Sequence, residues 1–305
     1  MSTGISTGVA IYQGDREKDL DLIRATGATW CRVDLYWPVI QRGGPDSFDF
    51  SQADPVIKGI RARGMKPLGI LNSFPGWVLE GSEARQFAKF AAECVKHYRC
   101  PAYEIWNEPN YRGNFPQSAG TYTAMLRAAY RAIRRVDKSC RIISGGCAPA
   151  STTATSYAPA EWLRLIYANG GKGSFDAVGH HPYCFDAHTM PGDQKDWSAW
   201  FQMYGTEPSI RSVMADNGEA KKLVWATEFG APTNGPGWTV TEPEQAKMIS
   251  RALELWPTYK WAGPMFIYSH RDRGTDTSDR ENFFGIHRFN GTAKPAVAAM
   301  AAASR

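Results

Sequence analysis

The sequence predicts a single (β/α)8 barrel, also called a TIM barrel, and three observations lead to this prediction. Short apolar runs alternate with longer amphipathic stretches, a pattern typical of a parallel sheet with crossover helices. Eight such runs can be counted in the 305 residues. No linker, low-complexity tract or second core interrupts the alternation, so we expect residues 1–305 to form one barrel domain.

Each predicted strand is a short apolar run followed by a longer stretch with helical periodicity. The predicted strands are Gly8–Tyr12, Thr29–Tyr36, Lys66–Asn72, Ala102–Trp106, Arg141–Gly145, Ala177–His181, Leu223–Thr227 and Pro264–Tyr268. Apolar side chains in Glu83–Tyr98 and Ser118–Lys138 recur every three or four positions, as one buried helix face requires. The seventh helix opens with Thr241 and has Glu244 three residues later, which predicts a capping box.

Charge and hydropathy exclude several classes of partner. The chain has 35 basic and 30 acidic side chains, spread without a basic block, so nucleic acid is not an expected partner. No apolar run approaches the ~20 residues of a membrane span, and the short apolar segment Ala296–Ala303 predicts a closing helix. The first residues do not resemble a secretion signal. We therefore expect a monomer in the cytoplasm, or outside the cell after removal of a leader or after lysis.

The six cysteines do not make a disulfide scaffold in a chain of this length, and their spacing matches no zinc pattern. Cys100 and Cys140 each precede a predicted strand, and those two strands are expected to be neighbours. A disulfide between these two residues is therefore one of the possibilities that the sequence leaves open.

No cofactor or metal is expected. The chain has no phosphate-binding glycine loop and no Gly-x-Ser-x-Gly nucleophile elbow. Four side chains at the end of the sixth strand and in the segment after it could ligate a metal, but they have neither helical i, i+4 spacing nor a recognisable supporting residue. They are His180, His181, Asp186 and His188.

Two glutamates follow buried strands at the end of the barrel where active sites lie. Glu108 comes after the fourth predicted strand, and Glu228 comes after the seventh. These strands lie across the barrel mouth from each other, so the two carboxylates can face one bond between them. Glycoside hydrolysis requires such a pair: one carboxylic acid protonates the leaving oxygen, and the other carboxylate attacks the anomeric carbon in retaining enzymes.

The motif Asn107-Glu108-Pro109, together with Glu228, resembles glycoside hydrolase clan A. The longer run from Trp106 to Asn110 is most similar to family 39, with the cellulase-like family 5 next. The resemblance implies that Glu108 is the acid/base and Glu228 the nucleophile. It also implies that Asn107 binds the sugar 2-hydroxyl and that the substrate is β-linked.

Four more positions match the clan or replace one of its residues. The resemblance implies that Arg32 and Tyr183 hydrogen-bond the nucleophile and that His181 contacts the sugar or the acid/base. A structural ion pair is the alternative for Arg32, and simple packing is the alternative for His181 and Tyr183. Tyr268 stands where many members have a tryptophan beneath the reacting sugar, so it is either that platform or a packed residue.

Aromatic residues that follow predicted strands are candidates for contacts with sugar rings. We expect two or three of them to contact sugar, the others to pack in the core, and the site to be an endo-acting cleft. They are Trp37, Trp77, Tyr111, Trp197, Trp200 and Trp238. The sequence therefore predicts a retaining glycosidase acting on a β-linked oligo- or polysaccharide. A transglycosylase and a non-catalytic carbohydrate-binding protein are the alternatives.

Overall fold

The computed structural model describes residues 2–186 and 188–303, and these residues form a closed parallel (β/α)8 barrel. The strands pair in sequence order, and β8 pairs with β1. They are β1 (Thr3–Ser6), β2 (Trp30–Tyr36), β3 (Lys66–Asn72), β4 (Ala102–Asn107), β5 (Arg141–Gly146), β6 (Ala177–His180), β7 (Leu223–Phe229) and β8 (Ala262–Tyr268). The sequence pattern located the last seven strands to within two residues at each end.

Helices surround the barrel. They are α1 (Arg16–Ala25), α2 (Trp37–Ile40), α3 (Asp54–Ala62), α4 (Glu83–Tyr98), α5 (Ala119–Val136), α6 (Pro159–Ala168), α7 (Ile210–Asp216), α8 (Glu242–Leu255) and α9 (Ala296–Ala303). The predicted capping box is present at the start of α8. The Thr241 side chain accepts from the Glu244 amide, and the Glu244 carboxylate accepts from the Thr241 amide at 2.7 Å. No described helix is long and apolar enough to cross a membrane.

The prediction for the first strand is wrong. Residues Gly8–Tyr12 form a 3-10 helix, and the strand is Thr3–Ser6, which pairs with both β2 and β8. Gly8 has a φ of +51° and interrupts the extended chain. The true strand has little apolar character because Gly4 must leave room for a ring; a Cβ there would lie 2.4 Å from Phe266 Cδ1.

The barrel interior changes from apolar to charged toward its C-terminal end. The apolar layer consists of Trp30, Leu68, Ala102, Ile143, Ala177, Trp225 and Phe266. Side chains two positions apart on a strand point to the same face. The next inward positions on β2, β4 and β7 are therefore Arg32, Glu104 and Thr227, all buried. The charged layer thus rests on an apolar plug, and the candidate site lies directly above it.

The cysteine bridge that the sequence left open is not formed. Cys100 and Cys140 are free thiols, as are the other four cysteines. The Cys140 thiol lies 3.9 Å from the carbonyl oxygen of Asp137. Burial raises the pKa of both thiols to about 11, which keeps them protonated near neutral pH.

Candidate active site

Seven of the predicted site residues converge on the charged layer at the C-terminal ends of the strands. β2 supplies Arg32, β4 supplies Asn107, β7 supplies Glu228 and β8 supplies Tyr268. The segments that follow β4 and β6 supply the others, Glu108, His181 and Tyr183. Strand ends fix these side chains because each strand is held on both sides by the closed sheet.

Glu108 and Glu228 face each other across this layer. Three atoms lie within 4.8 Å of one another: one carboxylate oxygen of each glutamate and a ring nitrogen of His181. The side chain of Glu228 is 12% exposed and that of Glu108 is 23% exposed. Both carboxylates are therefore sheltered from bulk water while keeping access to a ligand.

Glu228 is held by two donors. Arg32 donates from Nη1 to Oε1 at 2.6 Å, and the Tyr183 hydroxyl donates to Oε2 at 2.9 Å. Burial raises the pKa of Tyr183, and the negative charge of Glu228 raises it further, so the phenol remains a donor. A buried cation and a buried phenol together stabilise negative charge on Glu228.

Glu108 has a different environment. Asn114 donates to its Oε2 at 2.8 Å, and its backbone N–H donates to the Gly146 carbonyl at 2.9 Å. The residue has a φ of +49°, in the left-handed region that costs an L residue about 1–3 kcal/mol. Asn114 is not among the residues that the sequence singles out, because it lies in a loop without a recognisable pattern.

His181 lies between the two carboxylates and is fully buried. Its Nδ1 is 3.0 Å from Glu108 Oε1 and 3.6 Å from Glu228 Oε2. Burial disfavours the imidazolium, but the charge of Glu228 and the hydrogen bond to Glu108 outweigh burial and raise the pKa of His181. The imidazole can therefore act as a cation shared by the two glutamates.

Arg32 uses its guanidinium fully. Besides Glu228, it donates to Glu104 from Nε at 2.7 Å and to Asn107 Oδ1 from Nη2 at 2.7 Å. Asp34, two residues further along β2, instead accepts from Asn72 at 2.6 Å. Arg32 thus makes both a structural ion pair and a contact with the candidate nucleophile.

Glu104 is the most buried acid of the site and is not among the residues that the sequence singles out. It is 0% exposed and accepts from Arg32, from the Gly146 amide and from the Thr227 hydroxyl. The signal that could have found it is a glutamate within a predicted apolar strand. Such an acid needs a buried cation, since an unpaired charge is costly in the interior.

Two cavities meet at the glutamate pair and share Asn107, Glu228 and Tyr268. One has a volume of about 330 Å³ and a mainly polar lining, with Asp34, Asn72, Ser73, Asn114 and Arg273 among its residues. The other has a volume of about 220 Å³ and includes Glu108, Pro149, Phe185, Glu281 and Phe284. A ligand that bridges the two cavities would pass between the carboxylates.

The aromatic predictions need correction. Trp37 and Trp200 are fully buried. For Trp37 the reason is that the chain turns outward after β2, and its ring stacks on Phe90 of α4 with 5.4 Å between the ring centroids. Trp77 packs on Trp37 and donates to the Gln41 carbonyl, so it belongs to the same core. None of these three rings lines the cavities described above.

The remaining predicted aromatics are divided. Trp238 packs behind Phe185 at 5.8 Å and lines neither cavity. Trp197 is 59% exposed and Tyr111 is 44% exposed, but both also lie outside the two cavity linings. Tyr268 lines both cavities, and its hydroxyl lies 3.4 Å from Glu281. Of the predicted aromatic platforms, Tyr268 is the one placed to contact a ligand at the glutamate pair.

The four possible metal ligands at the end of β6 and in the segment after it are not brought together. His180 contacts the Ala199 carbonyl at 3.0 Å, and Asp186 accepts from the amide of His188. Within residues 2–186 and 188–303, the group that could hold an ion is Glu108, His181 and Glu228. Arg32 already places a positive charge 2.6 Å from Glu228, which opposes binding of a second cation there.

A sequence model of the cellulase family, glycosyl hydrolase family 5, matches residues 2–261. The chain belongs to this family. The resemblance to glycoside hydrolase clan A is thereby confirmed, and the chain is a clan A glycoside hydrolase on a TIM barrel. No curated protein sequence matches it.

Solved structures show the same fold at low sequence identity. A family 39 glycoside hydrolase from the gut symbiont Bacteroides cellulosilyticus WH2 is 22% identical, with a TM-score of 0.79 over 99% of this chain and 63% of that one. A GH5_18 enzyme from Bifidobacterium longum subsp. infantis is 14% identical, with a TM-score of 0.70 over 100% and 78%. The exo-β-1,4-mannosidase Op5Man5 from Opitutaceae bacterium strain TAV5 is 17% identical, with a TM-score of 0.67 over 100% and 59%.

The chain spans less than two thirds of the length of the Bacteroides and Opitutaceae enzymes. Families 39 and 5, the two that the sequence motifs resemble, are both represented among these structures.

Proposed function

We propose that this glycosidase hydrolyses a β-linked glycoside with retention of configuration. The observation that carries the proposal is the separation of the glutamates, whose nearest carboxylate oxygens lie within 4.8 Å. Retaining enzymes hold their carboxyl groups about 5–5.5 Å apart, whereas inverting enzymes leave about 6.5–9.5 Å for a water molecule. The short separation of Glu108 and Glu228 therefore favours direct attack by one of them over attack by an interposed water.

In the first step, a Glu228 oxygen attacks the anomeric carbon while the bond from that carbon to the leaving oxygen breaks. Glu108 gives its proton to the leaving oxygen, and a covalent glycosyl-enzyme forms. Arg32 and Tyr183 hold Glu228 on two sides and fix its direction of attack. Because Asn107 Oδ1 accepts from Arg32, its amide N–H groups remain for the sugar 2-hydroxyl.

In the second step, water attacks the anomeric carbon and the bond to Glu228 breaks, which restores its carboxylate. Glu108, now ionised, takes a proton from that water. His181 contacts both carboxylates and can follow the shift of negative charge from one to the other. His181 thus links the two glutamates on which double displacement depends.

Cavity size bears on the substrate. The endo-acting cleft predicted from the sequence depended on exposed aromatic side chains, and Trp37 and Trp200 instead lie in the core. The polar cavity beside Glu228, about 330 Å³, is at the lower end of the range for ligand sites. We therefore propose that short β-linked oligosaccharides are better substrates than polymers.

The direct test is release of product from a panel of aryl β-glycosides, oligosaccharides and polysaccharides, with Glu228→Ala as the blank. We expect turnover of short substrates by the wild type and none by the variant. Products longer than the starting oligosaccharide would instead identify a transglycosylase. Binding of oligosaccharides without turnover by either protein would refute the enzymatic assignment.

A further inference from the structure

Glu104 lies at the centre of the charged layer, yet the proposed reaction gives it no step. It is fully buried on β4, three residues before Asn107. We propose that Glu104 is a positioning residue that holds Arg32 and the β7 segment carrying Glu228 in the geometry required for attack. This inference rests on the proposed function, because it assigns Glu104 to the reaction of that nucleophile.

The groups around Glu104 all donate hydrogen bonds to its carboxyl oxygens. Oε2 accepts from Arg32 Nε at 2.7 Å, and Oε1 accepts from Arg32 Nη2 at 3.2 Å, the Gly146 amide at 2.8 Å and the Thr227 hydroxyl at 3.0 Å. The guanidinium and the amide can only donate. A glutamine amide in either orientation would turn an N–H toward one of them. Glu104 therefore fits this place as a shared acceptor, which glutamine cannot reproduce.

Two of these partners lead directly to the candidate nucleophile. Arg32, held by Glu104 through two N–H groups, directs Nη1 to Glu228 at 2.6 Å and Nη2 to Asn107 at 2.7 Å. Thr227, the third partner, immediately precedes Glu228 on β7. A displacement of the Glu104 carboxylate would therefore move both the cation that contacts the nucleophile and the strand that carries it.

The remaining partner leads to the acid/base. The amide of Gly146 donates to Glu104, while its carbonyl accepts from the backbone N–H of Glu108 at 2.9 Å. Glycine allows this close approach, since a Cβ at position 146 would lie 2.8 Å from Glu104 Oε1. Glu104 thus connects to both glutamates of the pair through groups that it contacts itself.

The charges around Arg32 predict the direction in which loss of Glu104 changes the pH dependence of the reaction. Glu104 and Glu228 share the single charge of Arg32. With a neutral side chain at position 104, Arg32 would act on Glu228 alone, which would stabilise that carboxylate before attack and make it a weaker nucleophile. The other groups that face Glu228 stay unchanged in this comparison, namely His181, Tyr183, Tyr268, Glu108, Asp34 and Glu281.

The experiment is Glu104→Gln in the full chain, with kcat and KM for an aryl β-glycoside measured across pH. We expect kcat/KM to fall about 100-fold, the loss produced by ~1 Å misplacement of a reacting group. We expect the acidic limb of the kcat/KM profile to move to lower pH by roughly one unit.

Glu219→Gln is the matched control. Glu219 is also buried and accepts from the Tyr167 hydroxyl and the Gly173 amide, but it lies outside the site. We expect this variant to lose thermal stability while keeping the wild-type pH profile. A Glu104→Gln variant whose acidic limb stays in place, as in the control, would overturn the positioning role even if its activity fell.

A second pair of variants decides the matter if Glu104→Gln does not fold. Thr227→Val removes one donor to Glu104 at almost constant volume, whereas Thr227→Ser keeps the hydroxyl. We expect a roughly tenfold loss of kcat in the valine variant and recovery in the serine variant. Equal activity of the two contradicts the inference. If the wild type and Glu228→Ala hydrolyse the substrate panel equally, or both fail to hydrolyse it, the proposed function itself fails.

Discussion

Replacing Gly146 by alanine tests how tightly the site is packed. A Cβ at this position would lie 2.4 Å from both His181 Nε2 and Thr227 Oγ1, and 2.8 Å from Glu104 Oε1. Ordinary van der Waals contact begins near 3.4 Å, so the two closest groups must each move by about 1 Å. A displacement of ~1 Å at a catalytic constellation can cost about 100-fold in rate. We therefore expect kcat/KM to fall by about two orders of magnitude.

Stability should fall much less than activity. Overpacking of this kind costs about 1–3 kcal/mol, whereas domains unfold with about 5–15 kcal/mol. The assay is therefore kcat/KM for an aryl β-glycoside beside a thermal unfolding curve. Gly76→Ala is the control, because nothing lies within 4 Å of a Cβ there and its φ is not positive. Wild-type kcat/KM in a folded Gly146→Ala variant would refute the reasoning.

Three further outcomes are expected. Tyr183→Phe removes a 2.9 Å hydrogen bond to Glu228. Because a hydrogen bond to a charged group is lost, kcat/KM should drop about 10–150-fold. An unchanged kcat/KM would contradict a role for this contact. Burial raises the pKa of Asp34 to about 6, so the folded state binds a proton that the unfolded state has released. As pH rises from about 4 to about 6, the free energy of unfolding of the wild type should therefore fall by roughly 2–3 kcal/mol relative to Asp34→Asn. Parallel curves of unfolding free energy against pH would contradict this. The ammonium group of Lys294 is buried 2.8 Å from Asp272. Lys294→Met should lower the free energy of unfolding, measured in urea, by about 3–5 kcal/mol, because Asp272 is left without its cation. A loss below about 1 kcal/mol would contradict this.

Periodicity predicted most of the fold because each element buries one face. The apolar stripes of α4 and α5 and seven of the strands follow directly from that requirement. β1 could not be read in this way, since Gly4 and Ser6 occupy inward positions where a ring and a guanidinium already fill the space. The neighbouring apolar run attracted the prediction instead, although Ala10 and Ile11 are buried in a 3-10 helix.

The glutamate pair could be predicted because a carboxylate directly after a buried strand has one place to go in a barrel. The depth of an aromatic ring could not be predicted in this way. Trp37 directly follows β2 and Trp197 lies in the long segment between β6 and β7, yet one is 0% and the other 59% exposed. Which of them faces solvent depends on how the chain turns after the strand, and no local pattern of residues specifies that turn.

Glu104 and Asn114 mark two different limits of prediction. An acid within the apolar run Ala102–Trp106 signals a buried partner, and Arg32 on β2 is a cation that could have been matched to it. Asn114 reaches Glu108 only because the loop after β4 folds back over the strand end. Its role depends on a tertiary contact that its own neighbourhood in the sequence does not encode.

The most direct test of the central claim is the configuration of the first product. Hydrolysis of an aryl β-glycoside can be followed by proton NMR before the anomers equilibrate. Because the short separation of Glu108 and Glu228 favours direct attack by Glu228, we expect the β-anomer to appear first, with no such signal from Glu228→Ala. Initial appearance of the α-anomer would show a single inverting displacement and would contradict the assignment of Glu228 as nucleophile.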